Sequence, residues 1–175
     1  MTRVLITVPN EHWIHRAVVA CVVRLLLHDR RYQLDFRMSA AKPYENNQHQ
    51  IVREFLHEGF DFWLSMDSDN PPLGNPLDLV VLNLDVIGLP TPVWHWTGKG
   101  ERERPIHWNA YRYDAKADAY REYLPREGLQ QVDAIGTGCF LIARRVFEHP
   151  AMQRGAFVRK LQPDGVVDRG NDFSF

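Results

Sequence analysis

Phe60-Asp61-Phe62-Trp63-Leu64-Ser65-Met66-Asp67-Ser68-Asp69-Asn70-Pro71-Pro72 is the stretch on which the reading of this chain turns. An aromatic, apolar run opens after Gly59 and closes on two carboxylates one residue apart, an asparagine and two prolines. Aromatic side chains suit a pleated, buried surface, so the run reads as a strand. Pro71 and Pro72 have no N–H to donate to a ladder, which stops the strand there. Asp67 and Asp69 thus fall at its carboxyl end. In an extended chain, residues two apart point to the same side with Cα atoms about 6 to 7 Å apart. Both carboxylates are then within reach of one divalent cation, directly or through water. The same string also satisfies plain turn chemistry, since Asp and Asn are favoured where strands end.

Working outward toward the N-terminus, Arg3 to Val8 is a short β-branched run closed by Pro9-Asn10, a second buried strand. Asn10 is a good N-cap and Glu11 suits a first turn, predicting a helix over 11–30. That segment is apolar nearly all round, with Arg16, Arg24 and His28 on a narrow polar stripe, the pattern of a helix packed in a core against a sheet. Tyr32 to Ser39 alternates apolar and polar residues as a strand does. Ile51, Val52, Phe55 and Leu56 place a helix over 45–58, with Gly59 as its stop. Beyond the aspartates, Asn75-Pro76 is a cap with proline in the first turn, opening a helix to about Leu84. Thr91 to Trp96 is a further strand. Strands alternating with helices imply an α/β domain, a Rossmann-like, mostly parallel sheet with helices on both faces. Ligands of such sheets bind beyond the carboxyl ends of the strands, where Asp67 and Asp69 fall.

The second half changes character. Lys99 to Arg104 is a charged loop, and Ile106 to Tyr113 with Ala119 to Tyr123 form a small β-hairpin region across 114–118. Gln131 to Ile142 carries apolar residues around Gly136-Thr137-Gly138, where the glycines serve either a bend or the close approach of a ligand. Residues 144–156 read as helical, interrupted at Pro150.

Composition bounds the function. The chain has 175 residues, 45% apolar and 25% charged, with a net charge of −1. This is a globular domain whose net charge argues for neither a general nucleic-acid nor a membrane-surface electrostatic partner. Cys21 and Cys139 lie in apolar runs and imply no disulfide framework, so a cytoplasmic location is expected. No apolar stretch approaches the roughly 20 residues that span a bilayer, and no integral membrane segment is expected.

Four pieces occur in order: Val8-Pro9-Asn10-Glu11, Met66-Asp67-Ser68-Asp69, the segment 135–142 around Gly136-Thr137-Gly138, and Gly170-Asn171-Asp172-Phe173. Together they resemble the GT-A-fold nucleotide-sugar glycosyltransferases, especially those similar to family 2. The resemblance implies a single GT-A-like domain, with 1–97 as the nucleotide-binding half and 98–175 as the sugar and acceptor half. It implies that Pro9, Asn10, Glu11, Asp67, Gly136, Thr137 and Gly138 line a nucleotide-sugar site. Asp67 and Asp69 would hold Mn2+ or Mg2+, and Asp172 would be the catalytic base of an inverting transfer. The expected donor is a UDP- or GDP-linked sugar, and the expected acceptor is a hydroxyl of unknown identity. Two departures matter: Asn171 stands where the family has Glu, and the sequence ends three residues after Asp172. A non-catalytic or truncated nucleotide-sugar-binding domain is therefore the alternative. A haloacid-dehalogenase-type phosphatase, with the first aspartate as nucleophile, is the more distant one.

Other features have plainer readings. His12 and His15 lack the H-E-x-x-H pattern of a metal helix. Trp94, His95 and Trp96 either stack on a ligand or pack a core. Lys99, Arg102 and Arg104 form a solvated loop or a phosphate lid. Arg53 is expected at the surface.

Overall fold

The computed structural model describes residues 1–10, 12–40, 44–94, 106–152, 157, 160–161 and 167–169. Its centre is a five-stranded sheet built from β1 (Arg3–Pro9), β2 (Gln33–Ser39), β3 (Phe62–Met66), β4 (Val86–Gly88) and, from much later in the chain, β10 (Cys139–Ala143), in the order β2-β1-β3-β10-β4. β1 pairs in parallel with β2 and β3, while β10 runs antiparallel to both β3 and β4. Four strands thus point one way and one the other, giving a mixed α/β fold with a mostly parallel sheet. β10 comes from the second half of the chain and sits between two strands of the first, so both halves share one sheet.

The alternation of side chains along the strands fills two cores. On one face Val4, Ile6, Val8, Phe62, Leu64 and Met66 pack under α1 (Arg16–His28) and a 3-10 helix (Pro76–Leu82). On the other, Leu5, Trp63, Phe140 and Ile142 pack under α2 (Tyr44–Glu58) and α3 (Arg144–Glu148). Helices cover both faces, as the sequence rhythm implies. Trp63 is the hub of the second core, edge-on to Phe140 and Phe157 at centroid distances of 5.3 and 5.8 Å. Its Nε1 donates to Thr7 Oγ1 at 2.8 Å, and that hydroxyl donates to Ser65 Oγ at 3.3 Å. The buried indole N–H and both hydroxyls are thereby satisfied, which removes the main cost of burying them.

Several boundaries differ from the sequence reading, each for a local reason. α1 begins at Arg16 and not at residue 11, because the cap is His15, whose Nδ1 accepts from Ala17 N–H at 3.3 Å. Asn10 instead prolongs the sheet: its N–H donates to Ser39 O and its Nδ2 to Val8 O, each at 3.1 Å. α1 is not buried all round; Val18, Cys21, Val22 and Leu25 face the sheet while Val19, Val23 and Leu27 face solvent. Asn75 does cap the next element, its Oδ1 accepting from Leu77 N–H at 3.0 Å, but that element is a 3-10 helix ending at Leu82. Gly59 stops α2 as expected, at φ 76° in the left-handed region.

Within the strand expected at 91–96, residues 92–94 do not enter the main sheet. They form β5 (Pro92–Trp94), which pairs with β6 (Ile106–Trp108) in a separate antiparallel ribbon. The place in the sheet goes to β4, three residues too short for any periodicity to announce. The expected hairpin is present as β7 (Ala110–Asp114) and β8 (Ala119–Glu122), joined by β9 (Ala134–Ile135) into a three-stranded antiparallel sheet. A last ribbon pairs β11 (Lys160–Leu161) with β12 (Val167–Arg169). No described helix is long and apolar enough to cross a membrane.

Candidate functional site

Parallel strands bring their carboxyl ends to one rim, and the register fixes what lies there. Pro9 pairs with Ser39. Thr7 pairs with Ser65, so Pro9 falls level with Asp67. On the other side Cys139 pairs with Met66, which sets Gly138 against Asp67, and the Asp67 N–H donates to Gly138 O at 2.9 Å. Ser39, Pro9, Asp67 and Gly138 thus form a row across the rim at the strand spacing of about 4.8 Å. Three of the four sequence pieces meet here, from positions as far apart as 9 and 138.

The D-x-D segment lies just beyond the strand and not within it. β3 ends at Met66, and residues 68 and 69 form a bend, so the two-residue periodicity of a strand does not align the carboxylates. Asp67 is half-buried and Asp69 exposed. The segment is tied at three points. Besides the Asp67–Gly138 bond, Ser68 O accepts from His15 N–H at 2.7 Å, and Asn70 Nδ2 donates to Pro92 O at 3.1 Å. His15 is therefore accounted for twice over, as the cap of α1 and as a backbone clamp on this bend.

The glycines of the 136–138 segment have a packing explanation. A Cβ on Gly138 would lie 2.1 Å from Thr91 Oγ1 and 2.8 Å from Thr91 Cβ and Cγ2; a Cβ on Gly136 would lie 2.6 Å from Asn109 Nδ2 and 2.7 Å from its Cβ. On that side the space belongs to protein atoms. Thr91 and Asn109 are themselves buried and mutually bound. Thr91 N–H donates to Asn109 Oδ1 at 3.0 Å, Asn109 Nδ2 donates to Thr91 Oγ1, and Gly136 N–H donates to Asn109 O at 2.7 Å. This knot joins the β5–β6 ribbon to the rim. The sequence reading missed both residues, and each is an ordinary polar residue beside a strand; only the two glycines signalled that something packs close.

Cys139 sits under the rim, fully buried, its thiol pushed up to about 12 by burial first and then by the neighbouring Cys21 and Asp67. A thiol so protonated is no nucleophile. Pro9, Asn10, Asp67, Asp69, Gly136, Thr137 and Gly138 are thus placed at or beside the rim, while Glu11, Asp172, His95, Trp96, Lys99, Arg102 and Arg104 lie outside the described residues. Arg53 is exposed on α2, as expected, and His12 is exposed before α1.

The donor chemistry at the rim is two carboxylates, and among the described residues no group of three His, Cys, Asp or Glu could hold a metal ion. Two carboxylates alone make no closed zinc site; a hard cation that keeps several of its waters is the kind of ion such a pair could hold.

Fold and rim together define an α/β domain with its candidate site at the carboxyl end of the central parallel strands. No family model matches the chain, and no curated protein matches it in sequence. It is similar in structure to the protein of the "Crystal Structure of A197 from STIV", with a TM-score of 0.59 and 16% identity over 90% of this chain and 72% of that one. At that identity the likeness concerns the fold.

Proposed function

We propose that this protein is a GT-A-type glycosyltransferase, similar to family 2, that takes a sugar from a UDP- or GDP-linked donor and passes it to an acceptor hydroxyl with inversion. The observation that carries the proposal is the row Ser39–Pro9–Asp67–Gly138. It sets the D-x-D bend between Pro9-Asn10 at the end of β1 and the glycine segment before β10, at the end of the sheet where ligands of such folds bind. Asp69, exposed beyond the rim, and Asp67, half-buried within it, would hold Mn2+ or Mg2+. The ion's contribution is charge neutralisation of a diphosphate leaving group. The Asp67 carboxylate, whose backbone N–H is held by Gly138 O, would also orient the ribose. Pro9, Asn10 and Glu11 would flank the base, and Gly136, Thr137 and Gly138 the sugar. Asp172 would accept the proton of the acceptor hydroxyl as the new bond forms.

The test is calorimetry of the whole chain with UDP and GDP, with and without Mn2+. Binding is expected only with the metal, weakened more than about tenfold in Asp69→Asn, a loss of the size seen when metal-site partners are removed. Donor hydrolysis by the wild type but not by Asp172→Asn would establish catalysis; binding without hydrolysis in both would leave a nucleotide-sugar-binding domain. Metal-indifferent titrations, or phosphate-ester hydrolysis through an aspartyl intermediate, would overturn the proposal.

A further inference from the structure

α1 presents an outer face that its position does not explain. Val19, Val23 and Leu27, one helical stripe at spacings of four, are 45%, 46% and 56% exposed, and Ala20 on the same side is also exposed. A helix covering one side of a sheet normally turns charge outward; this one is apolar on both faces. The stripe runs about 12 Å along the helix. Ahead of it stands Trp13, 61% exposed.

The charged residues of the helix itself are of one sign. Arg16 opens the helix, Arg24 and His28 flank it, and Arg30 follows; the helix contains no acidic residue. Among the described residues no carboxylate pairs with Arg16, Arg24 or Arg30. The nearby carboxylates Asp29 and Asp78 are both engaged by Arg31, at 2.6 and 2.7 Å. Arg24, His28, Arg30 and Arg31, together with the Asp29 and Asp78 that Arg31 engages, border a shallow cavity of about 460 Å³ beside the helix. A second copy of the chain docked two-fold on this face would oppose arginines with arginines, with no acid on the helix to answer them.

We propose that the outer face of α1 docks on a bilayer surface carrying anionic lipids, with Val19, Val23, Leu27 and Trp13 entering the headgroup boundary and Arg16, Arg24 and Arg30 meeting lipid phosphates. An apolar stripe with an aromatic residue ahead of it, on a helix whose own charges are all basic, is the composition of helices that lie in that interface without spanning it. The His15–Ser68 bond ties the same helix start to the D-x-D bend, so docking would set the rim beside the surface.

Co-sedimentation of the full chain with vesicles tests this. Phosphatidylcholine vesicles containing roughly a third phosphatidylserine should bind the protein, and pure phosphatidylcholine should bind it far less. Binding should fall as salt rises from about 50 to about 500 mM. Arg16→Ala should weaken it about fivefold, and Leu27→Asp more than about tenfold. Leu124→Asp, at an exposed apolar site elsewhere, should leave it unchanged, with circular dichroism confirming that all variants fold. Equal binding to both vesicle types, or wild-type binding by Leu27→Asp, would overturn the proposal. So would a dimer in sedimentation velocity that Leu27→Asp dissociates, which would assign the face to a second copy.

Discussion

Gly138→Ala puts the packing of the rim to a direct test. The added methyl carbon would sit 2.1 Å from Thr91 Oγ1 and 2.8 Å from two further Thr91 carbons, where carbon contacts settle at about 3.5–4.0 Å. Something must move. Thr91 is 1% exposed, and its side chain is held by Asn109, which is held in turn by the Thr91 N–H. Overpacking of a core costs about 1–3 kcal/mol. Swinging Thr91 aside leaves the buried Asn109 amide short of a partner, adding about 1–3 kcal/mol. The expected loss is thus about 2–6 kcal/mol, or a fall in Tm of at least about 4 °C for a chain of this size. Urea unfolding of the wild type, Gly138→Ala, Thr91→Gly and the double variant measures it. Because Thr91→Gly removes all three offending atoms, the double variant should recover at least about 1 kcal/mol relative to the sum of the singles. Since Gly138 O also anchors Asp67, Gly138→Ala should also weaken the Mn2+-dependent nucleotide binding proposed for the rim. A loss below about 0.5 kcal/mol, or the same loss with and without Thr91, would refute the packing argument.

Two other outcomes follow from the cores and the charges. Trp63→Phe removes the indole N–H that Thr7 accepts and leaves a void among Phe140, Phe147 and Phe157; the expected cost is about 2–3 kcal/mol by urea unfolding, and a cost below about 0.5 would deny Trp63 its role as hub. Asp29 is held down to about 2, first by the Arg31 guanidinium that hydrogen-bonds its carboxylate. A depressed folded value means stability that is present above about pH 4 and lost as pH falls through about 2. Asp29→Asn should therefore cost up to about 2 kcal/mol at neutral pH, less for the exposure of Arg31, and the gap from wild type should close between about pH 4 and 2. A gap that stays constant over that range would show that the pair does not act through charge.

The fold was legible where the chemistry is local. The aromatic run before Asp67, the β-branched run before Pro9 and the alternation of 33–39 each identify a strand from one stretch of chain, because burial and pleating impose themselves residue by residue. Gly59 and Asn75-Pro76 mark their helix ends because capping is a matter of a few neighbouring atoms. Asn10 looked like a cap and is not one, since its backbone and amide are taken by Ser39 and Val8 across the rim. α1 looked like a core helix because apolar residues surround it; nothing in its own sequence says which half the sheet will cover.

What the chain determined by itself was that the runs ending at Pro9, Ser39 and Met66 would be strands, that helices would lie between them, and that two carboxylates would follow the third strand of the main sheet. That β10 would cross from the second half to lie antiparallel against β3, that β4 and not β5 would complete the sheet, and that Gly138 would meet Asp67 were decided only in three dimensions. The reason is physical: strand identity follows from each residue's own preference for burial and extension, whereas strand partners are chosen by long-range hydrogen bonds and by the space that side chains such as Thr91 and Asn109 leave for a glycine to fill.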